Sequence, residues 1–263
     1  MKKPFTDCLL ACDIDGTLAI DQEIHPDNIT AMRHFCEMGG RIVLATGRTP
    51  QSAAPLVRRL LDERYLIANN GALIYDCREN AVVWEATLDF SEIVDRVRAD
   101  FPNMGILAYW QDKLEKLGSS DAVEWLINEE SLTVTEEHIP RPNKMLFADT
   151  PERLNELEAY LRCHFSDFPV DFVRASPRFT ELLPQGVDKG SALRRLTEML
   201  GVDRDHLFTA GNYYNDITML DAGRISCAPE GSPAEVLAHA TYVACPCEEG
   251  AVADFIEYLT AKV

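Results

Sequence analysis

Apolar residues in the first 75 positions follow two alternating spacings, one typical of strands and one typical of helices. Short continuous apolar runs predict buried strands at 9–12, 41–45 and 65–68. Helical spacing predicts a helix over residues 27–38, with a stripe formed by Ile29, Met32, Phe35 and Cys36. A second predicted helix follows Pro50, with a stripe formed by Leu56, Val57, Leu60 and Leu61. This order indicates parallel strands joined by right-handed crossovers.

The pattern changes in the middle of the chain and then returns. Between about residues 80 and 178, strands are predicted at 82–84, 106–109 and 144–148, and helices at 90–99, 121–128 and 151–161. A strand at 178–183 leads out of this region. The returning helices are predicted at 188–200, 216–222, 233–239 and 251–260, and the returning strands at 207–210, 224–228 and 241–244. We therefore predict an α/β core formed by residues 1–79 and 179–263, interrupted by an α+β domain of residues 80–178.

The negative charge of the chain limits the classes of partner that it can bind. With 43 acidic and 25 basic residues among 263, the formal net charge is −18. Nucleic acid and anionic membranes are bound through Lys and Arg, so this balance argues against both. A small phosphorylated molecule stays compatible, because a local cation can offset its charge.

Two further features of the composition concern location. No stretch approaches the ~20 apolar residues of a membrane span. The eight cysteines lie mostly in apolar runs, which favours reduced core thiols and a cytoplasmic protein. Cys245 and Cys247 lack the spacing of a zinc or redox pair.

Two carboxylates directly follow the first predicted strand. In the segment Asp13-Ile14-Asp15-Gly16-Thr17, Asp13 and Asp15 are two positions apart, so an extended chain places both on the same side. Ligands of open α/β sheets bind at the carboxyl ends of strands. Two adjacent anions there suit a divalent metal, or a reaction that needs one nucleophilic and one acid/base carboxylate. The alternative is an Asp-rich turn around Gly16.

Three further polar segments lie at predicted strand ends or helix starts of the core: Thr46-Gly47-Arg48, Lys189-Gly190 and Gly211-Asn212-Tyr213-Tyr214-Asn215-Asp216. Each has an ordinary alternative interpretation, as a helix cap, an exposed lysine or a turn. In this order and spacing, together with Asn70-Gly71-Ala72 and the segment 181–190, they resemble the haloacid dehalogenase superfamily of phosphotransferases. Within it they resemble the Cof-like branch, subclass IIB. The resemblance spans nearly the whole chain and implies a Rossmann-like core with a parallel sheet, plus an α+β cap that sets the substrate.

The resemblance also implies a role for each residue. Asp13 is expected to be the nucleophile that forms a phosphoaspartate, and Asp15 the acid/base that protonates the leaving oxygen and then activates water. Phosphoryl oxygens are expected at Thr46, Gly47, Lys189 and Asn215. A Mg²⁺ cofactor is expected at Asp13, the backbone carbonyl of Asp15, Asn212 and Asp216. An aspartate at position 15 suits phosphatases and phosphomutases, which transfer a proton to or from an alcohol.

Asn212 departs from the family pattern, which has aspartate at this position. An amide oxygen can still ligate a metal, but it carries no negative charge. We therefore expect a Mg²⁺ site that is weakened rather than absent.

The sequence as a whole predicts a Mg²⁺-dependent phosphatase that acts on a small phosphorylated metabolite, such as a sugar phosphate, as a monomer or homodimer. A phosphomutase, or a weakly active protein that binds a phosphorylated ligand, remains as an alternative. Candidate substrate contacts are Arg48 in the core and Arg141 and Lys144 in the cap. For the cap residues the alternative is solvation, because half-exposed strands present polar residues to water.

Overall fold

Strands and helices alternate through both ends of the chain and mix differently in its middle. The structure is a computed structural model and describes residues 3–60, 64–129 and 132–262. The strands in chain order are β1 (Leu9–Cys12), β2 (Ala19–Ile20), β3 (Glu23–Ile24), β4 (Arg41–Ala45), β5 (Tyr65–Ala68), β6 (Leu73–Asp76), β7 (Ala81–Glu85), β8 (Gly105–Trp110), β9 (Lys113–Gly118), β10 (Val134–Thr135), β11 (Lys144–Ala148), β12 (Val170–Ser176), β13 (Phe179–Pro184), β14 (Leu207–Ala210), β15 (Ile225–Pro229) and β16 (Tyr242–Ala244). The α-helices are α1 (Pro26–Glu37), α2 (Pro50–Leu60), α3 (Ser91–Asp100), α4 (Asp121–Glu129), α5 (Pro151–His164), α6 (Lys189–Leu200), α7 (Ile217–Ala222), α8 (Ala234–His239) and α9 (Ala251–Thr260).

The chain divides into two units, and the first, the core unit, consists of Met1–Val83 and Asp188–Val263. Its sheet has the strand order β16-β15-β14-β1-β4-β5-β6-β7. Numbered along the chain, the parallel strands β1, β4, β5, β14, β15 and β16 follow the order 3-2-1-4-5-6 of a Rossmann sheet. The predicted α/β fold with a Rossmann-like core is confirmed.

Strand β1 lies at the centre of this sheet, parallel to β14 on one side and to β4 on the other. All four of its residues are buried. Leu10 and Cys12 belong to a cluster that also contains Met32 and Phe35 of α1 and Phe255 of α9. A strand covered on both faces needs apolar residues at every position, which is why this segment is a continuous apolar run.

One edge of the core sheet departs from the predicted parallel arrangement. Strand β6 runs antiparallel to β5, with Ile67 opposite Ile74. Only a tight turn joins the two strands, and parallel strands need a crossover of about a dozen residues or more. The sheet is therefore mixed, with its parallel part around β1.

The second unit, called the inserted unit below, consists of Trp84–Val187. Its sheet has the order β10-β9-β8-β11-β13-β12. Residues of α3 and α5 pack on one face with Met145 and Phe147, and residues of α4 pack on the other with Leu146. Strand β13 is antiparallel to both β11 and β12, so residues 179–187, predicted to belong to the core, lie in the inserted unit.

Strands β9 and β12 were not predicted from the pattern. Lys113–Gly118 and Val170–Ser176 carry charged residues between apolar ones and are mostly half-buried, so neither forms the apolar run that marked the other strands. Leu61, predicted to extend the stripe of α2, lies outside the described residues. The eight cysteines carry free thiols. Across the described ranges, every helix is too short or too polar to cross a membrane.

Candidate active site

Polar segments meet at the carboxyl-terminal ends of the parallel strands of the core sheet, because several neighbouring strands end there. Segments of this kind begin directly after β1, β4, β5 and β14, at Asp13, Thr46, Asn69 and Gly211. Cys12 lies opposite Ala210 in the β1–β14 pair, and the Asp13 backbone N–H donates to the Ala210 carbonyl at 2.9 Å. The strand order reverses between β1 and β14, which is the position where open α/β sheets bind ligands.

A buried ammonium group lies between two buried carboxylates at this edge. Lys189 Nζ is 2.7 Å from Asp13 Oδ1 and 2.7 Å from Asp216 Oδ1. Lys189 is 1% exposed, Asp13 4% and Asp216 0%. Burial alone would lower the pKa of Lys189, but Asp13 and Asp216 raise it above its ordinary value, so this side chain stays a cation.

The same surroundings act on Asp13 in the opposite sense. Burial, and after it the Asp216 carboxylate, raise the pKa of Asp13 from 3.8 to about 7, while Lys189 lowers it. Near neutral pH the Asp13 carboxyl is therefore close to the balance between its protonated and ionised forms. A further cation beside Asp13 would favour the ionised form, which is the form able to act as a nucleophile.

Lys189 is held in place by the start of α6. The Asp188 carboxylate accepts from the Ser191 backbone N–H at 2.6 Å, and the Ser191 hydroxyl accepts from the Asp188 backbone N–H at 2.9 Å. This capping box fixes the first turn of the helix. A Cβ at Gly190 would lie 2.2 Å from the Thr218 carbonyl oxygen, so glycine is what lets α6 approach α7 closely enough to bring Lys189 to Asp13.

Asp15, two residues after Asp13, is held by Arg48. Arg48 Nη2 donates to Asp15 Oδ1 at 2.6 Å and Nε donates to Oδ2 at 2.9 Å. The Asp15 side chain is 53% exposed and the Arg48 side chain 11%. A bidentate pair of this kind fixes the plane of the carboxylate. The structure thus gives Arg48, predicted as a substrate contact, a partner within the site.

The predicted phosphate-binding residues are joined through a third loop. The Thr46 hydroxyl accepts from the Arg48 backbone N–H at 3.1 Å. The Thr46 carbonyl accepts from the Asn70 backbone N–H at 2.9 Å. Asn215 Nδ2 donates to Asn70 Oδ1 at 3.0 Å. Gly47 packs against the same amide, since a Cβ there would lie 3.0 Å from Asn70 Nδ2.

Asn212 lies beside the two aspartates. One terminal atom of its amide is 3.0 Å from the Asp15 backbone oxygen, 3.2 Å from Thr17 Oγ1 and 3.2 Å from Asp13 Oδ2. The hydrogen-bond network assigns the nitrogen to this position, where it donates to these oxygens. Thr17 Oγ1 in turn donates to Asp13 Oδ2 at 3.1 Å. Gly16, with φ 82°, leaves room for the Asn212 amide. A Cβ at position 16 would lie 2.3 Å from the other terminal atom of that amide, which is too close.

The oxygen atoms around Asn212 are suitable donors for a hard divalent cation. Asp13 Oδ2 and the Asp15 carbonyl oxygen both lie within 3.2 Å of the inward amide atom of Asn212. Within the described residues, His, Cys, Asp and Glu side chains do not form a group of three or more able to hold a metal. A cation here would rest on one carboxylate, one backbone carbonyl and the Asn212 amide oxygen, which fits in donor type but offers little negative charge.

Asp216, which the sequence predicted as a metal ligand, contacts Lys189 and the backbone of its own loop in the structure, and its metal role stays a prediction. Its Oδ1 contacts Lys189, and its Oδ2 accepts from the backbone N–H groups of Asn212 at 2.9 Å and Tyr213 at 3.0 Å. Both carboxylate oxygens are therefore engaged inside the core unit. Asp216 orients Lys189 and the loop that carries Asn212.

The candidate substrate contacts of the inserted unit differ from each other. Arg141 is exposed, and its Nη2 donates to the Thr87 carbonyl at 3.4 Å; its substrate role stays a prediction. Lys144 is buried, with Nζ 2.7 Å from Glu181 Oε1 and 4.6 Å from the centre of the Tyr109 ring. β11 and β13 are neighbouring strands, which brings the two charges together, so Lys144 has a partner within its own unit; its substrate role stays a prediction.

Two residues of the site were not assigned from the sequence. Thr17 lay within the first segment singled out, and Asn70 lay in a segment quoted only for its resemblance. Position after a strand was the signal available for both. Their contacts with Asp13 and Asn215 depend on how the loops fold against each other.

Comparison with known proteins agrees with this site. The pattern of the haloacid dehalogenase-like hydrolases matches residues 10–256. The chain is 29% identical to an HMP-PP phosphatase of Serratia proteamaculans, over 81% of this chain and 80% of that protein. It is 28% identical to the 5-amino-6-(5-phospho-D-ribitylamino)uracil phosphatase of Bacillus subtilis, over 81% and 79%.

The fold gives the same result. The crystal structure of a haloacid dehalogenase-like hydrolase from Bacteroides thetaiotaomicron superposes with a TM-score of 0.83 at 25% identity, covering 96% of this chain and 99% of that one. The family match over residues 10–256 includes every segment that forms the site. The chain belongs to the haloacid dehalogenase-like hydrolase family and is a phosphatase of its Cof-like branch.

Proposed function

We propose that this phosphatase hydrolyses a small phosphorylated metabolite, such as a sugar phosphate, through a phosphoaspartate on Asp13, with Mg²⁺ as cofactor. The observation that carries the proposal is the unequal surroundings of the two aspartates. Asp13 is buried against Lys189, whereas Asp15 is half-exposed and oriented by Arg48. One carboxylate is placed to attack and the other to exchange protons.

In the first half-reaction, an ionised Asp13 oxygen attacks the phosphorus atom and the bond from phosphorus to the leaving oxygen breaks. Asp15, in its protonated form, transfers its proton to that leaving oxygen, and the alcohol departs. Lys189, the Thr46 hydroxyl and the Asn215 amide bind the phosphoryl oxygens. Phosphoryl transfer depends mainly on positioning and charge stabilisation, which these fixed donors supply.

In the second half-reaction, water replaces the alcohol. Asp15, now ionised, takes a proton from the water, whose oxygen attacks the phosphorus of the phosphoaspartate. The acyl phosphate bond breaks, inorganic phosphate forms and Asp13 is regenerated. The Arg48 pair supports this step, because it favours the ionised form of Asp15 and holds the carboxylate in one plane.

The donor set beside Asn212 is of the type that would hold Mg²⁺. This ion takes oxygen ligands such as carboxylates and carbonyls. The inward amide atom of Asn212 is 3.0 Å from the Asp15 carbonyl oxygen and 3.2 Å from Asp13 Oδ2. Asp13, the Asp15 carbonyl and the Asn212 amide oxygen would hold the ion. When bound, Mg²⁺ neutralises the charge that accumulates where a phosphate approaches two carboxylates.

Release of inorganic phosphate from a panel of sugar phosphates and other phosphorylated metabolites, with Mg²⁺ or with EDTA, tests the proposed function. We expect phosphate release with Mg²⁺ for at least one member and its loss in EDTA. Transfer of the phosphoryl group back to substrate without free phosphate would contradict hydrolysis.

The intermediate is tested separately by mass spectrometry of acid-quenched enzyme. A peptide containing Asp13 should gain one phosphoryl group, and more strongly in Asp15→Asn, where breakdown is slowed. Asp13→Asn is the matched control, since it keeps the size of the side chain and cannot form the acyl phosphate. A phosphoryl group on any other residue would contradict the assignment of Asp13.

A further inference from the structure

The side-chain amide of Asn212 lies beside three oxygen atoms, and the hydrogen bonds that these oxygens can make decide its orientation. The Asp15 carbonyl and Asp13 Oδ2 are acceptors, and the Thr17 hydroxyl gives its proton to Asp13. An amide nitrogen turned towards them offers two N–H donors, whereas an amide oxygen turned towards them meets two acceptors. The nitrogen-inward orientation is thus the satisfied one when protein atoms alone surround the amide.

A cation bound among these oxygens requires the opposite orientation of the Asn212 amide. An amide ligates a metal through its oxygen, and its N–H₂ group has no lone pair to give. The torsion that turns the terminal amide is broad and roughly two-fold, so a half-turn exchanges nitrogen and oxygen without a change in backbone. The absence of a side chain at Gly16 leaves space on the outer side of the amide.

We propose that Asn212 is a reversible substitute for the cation: its N–H₂ group binds Asp13 and the Asp15 carbonyl in the metal-free enzyme, and the amide reverses to present oxygen when Mg²⁺ enters. The proposal rests on the Mg²⁺ site of the proposed function. Aspartate at this position has two acceptor oxygens and cannot make the exchange. It would bring another anion to Asp13 in the metal-free state.

Two measurable consequences separate Asn212 from an aspartate. The metal-free protein is stabilised by the amide, so Asn212→Asp should lower the melting temperature in EDTA. Mg²⁺ meets one formal charge less in the wild type, so Asn212→Asp should bind Mg²⁺ at least about tenfold more tightly. The substitution therefore moves metal-free stability and metal affinity in opposite directions, which general damage to the fold would not do.

The experiment uses the full chain without substrate. Melting temperatures in EDTA and at rising Mg²⁺, and Mg²⁺ affinity by calorimetry, are measured for the wild type, Asn212→Asp and Asn212→Ala. Asn103→Asp is the control for the added charge, because Asn103 is exposed and lies in the inserted unit. We expect Asn212→Asp to melt lowest in EDTA and to gain most from Mg²⁺, Asn212→Ala to melt below the wild type in EDTA, and Asn103→Asp to follow the wild type.

Side-chain amide resonances give a reading on the wild-type protein itself. In ¹⁵N-labelled wild type, the Asn212 N–H₂ pair, assigned by its loss in Asn212→Ala, should shift on titration with Mg²⁺ as its hydrogen bonds to Asp13 and Asp15 are lost. An unshifted pair while calorimetry shows Mg²⁺ bound, an Asn212→Asp protein as stable as wild type in EDTA, or wild type that binds no Mg²⁺ would each overturn the proposal. Phosphate release is scored independently, so a protein that shows the exchange but hydrolyses nothing would refute only the proposed function.

Discussion

Asp13→Asn should stabilise the metal-free core unit while abolishing turnover. Burial and the neighbouring Asp216 raise the pKa of Asp13 from 3.8 to about 7. Between these two pH values the unfolded chain has released the proton and the folded chain retains it. The folded state thus binds more protons, and stability falls as pH rises through this window. Asparagine cannot titrate, so it escapes this loss.

The size of the effect follows from the width of the window. Each unit of pKa corresponds to about 1.4 kcal/mol, so the ionised Asp13 destabilises the core unit by about 4 kcal/mol above pH 7 and by about 2 kcal/mol at pH 5. Asp13→Asn should gain these amounts over the wild type and gain nothing below about pH 4. This is the stability that the protein gives up to keep an anionic nucleophile buried beside Asp216.

Urea denaturation in EDTA at pH 5 and pH 8 measures the gain. Trp110 and Trp125 lie in the inserted unit, and Trp84 lies on β7 where the chain passes from one unit to the other, so fluorescence does not report the core unit alone. Circular dichroism and amide hydrogen exchange of β1 report the core. Asp167→Asn, at an exposed position, controls for the loss of one negative charge. An Asp13→Asn protein no more stable than wild type at pH 8, or a gain independent of pH, would refute the reasoning.

Substitutions at three other residues test the arrangement around Asp13. Arg48→Gln should lower kcat about tenfold or more with little change in KM, because only the guanidinium holds Asp15 through two bonds. Arg48→Lys should recover part of the lost kcat. Steady-state kinetics measures both variants, with Arg33→Gln as the control. Lys189→Met should destabilise the protein by about 3–5 kcal/mol at neutral pH, since two buried carboxylates lose their cation. Acid should restore part of the lost stability by protonating Asp13. Urea denaturation at two pH values measures both effects. Gly190→Ala should lower the melting temperature and the activity together, because its Cβ would meet the Thr218 carbonyl.

Each of these three has an outcome that contradicts it. An unchanged kcat in Arg48→Gln would mean that the pair with Asp15 does not position the acid/base. A Lys189→Met protein as stable as the wild type would mean that the ammonium does not neutralise the buried carboxylates. A Gly190→Ala protein with wild-type activity would mean that α6 can move without displacing Lys189.

The pattern of the chain predicted most of the core because periodic burial marks each element separately. β1, β4 and α1 were visible as an apolar run or an apolar stripe, and their order implied parallel strands. Strands β9 and β12 were missed because half-buried strands with charged residues lack that mark. The antiparallel direction of β6 and the membership of β13 in the inserted unit depend on pairing partners, which local pattern does not specify.

The sequence by itself determined which residues stand at the ends of strands and at the starts of helices, and therefore the identity of Asp13, Asp15, Thr46 and Lys189 as candidates. A strand end is a local property, and the order of parallel strands brings such ends to one edge. Only the tertiary structure decided their partners. It paired Asp216 with Lys189, Arg48 with Asp15 and Lys144 with Glu181. The partner of a charged side chain depends on distance and burial. Both are determined only when loops that are far apart in the chain pack together.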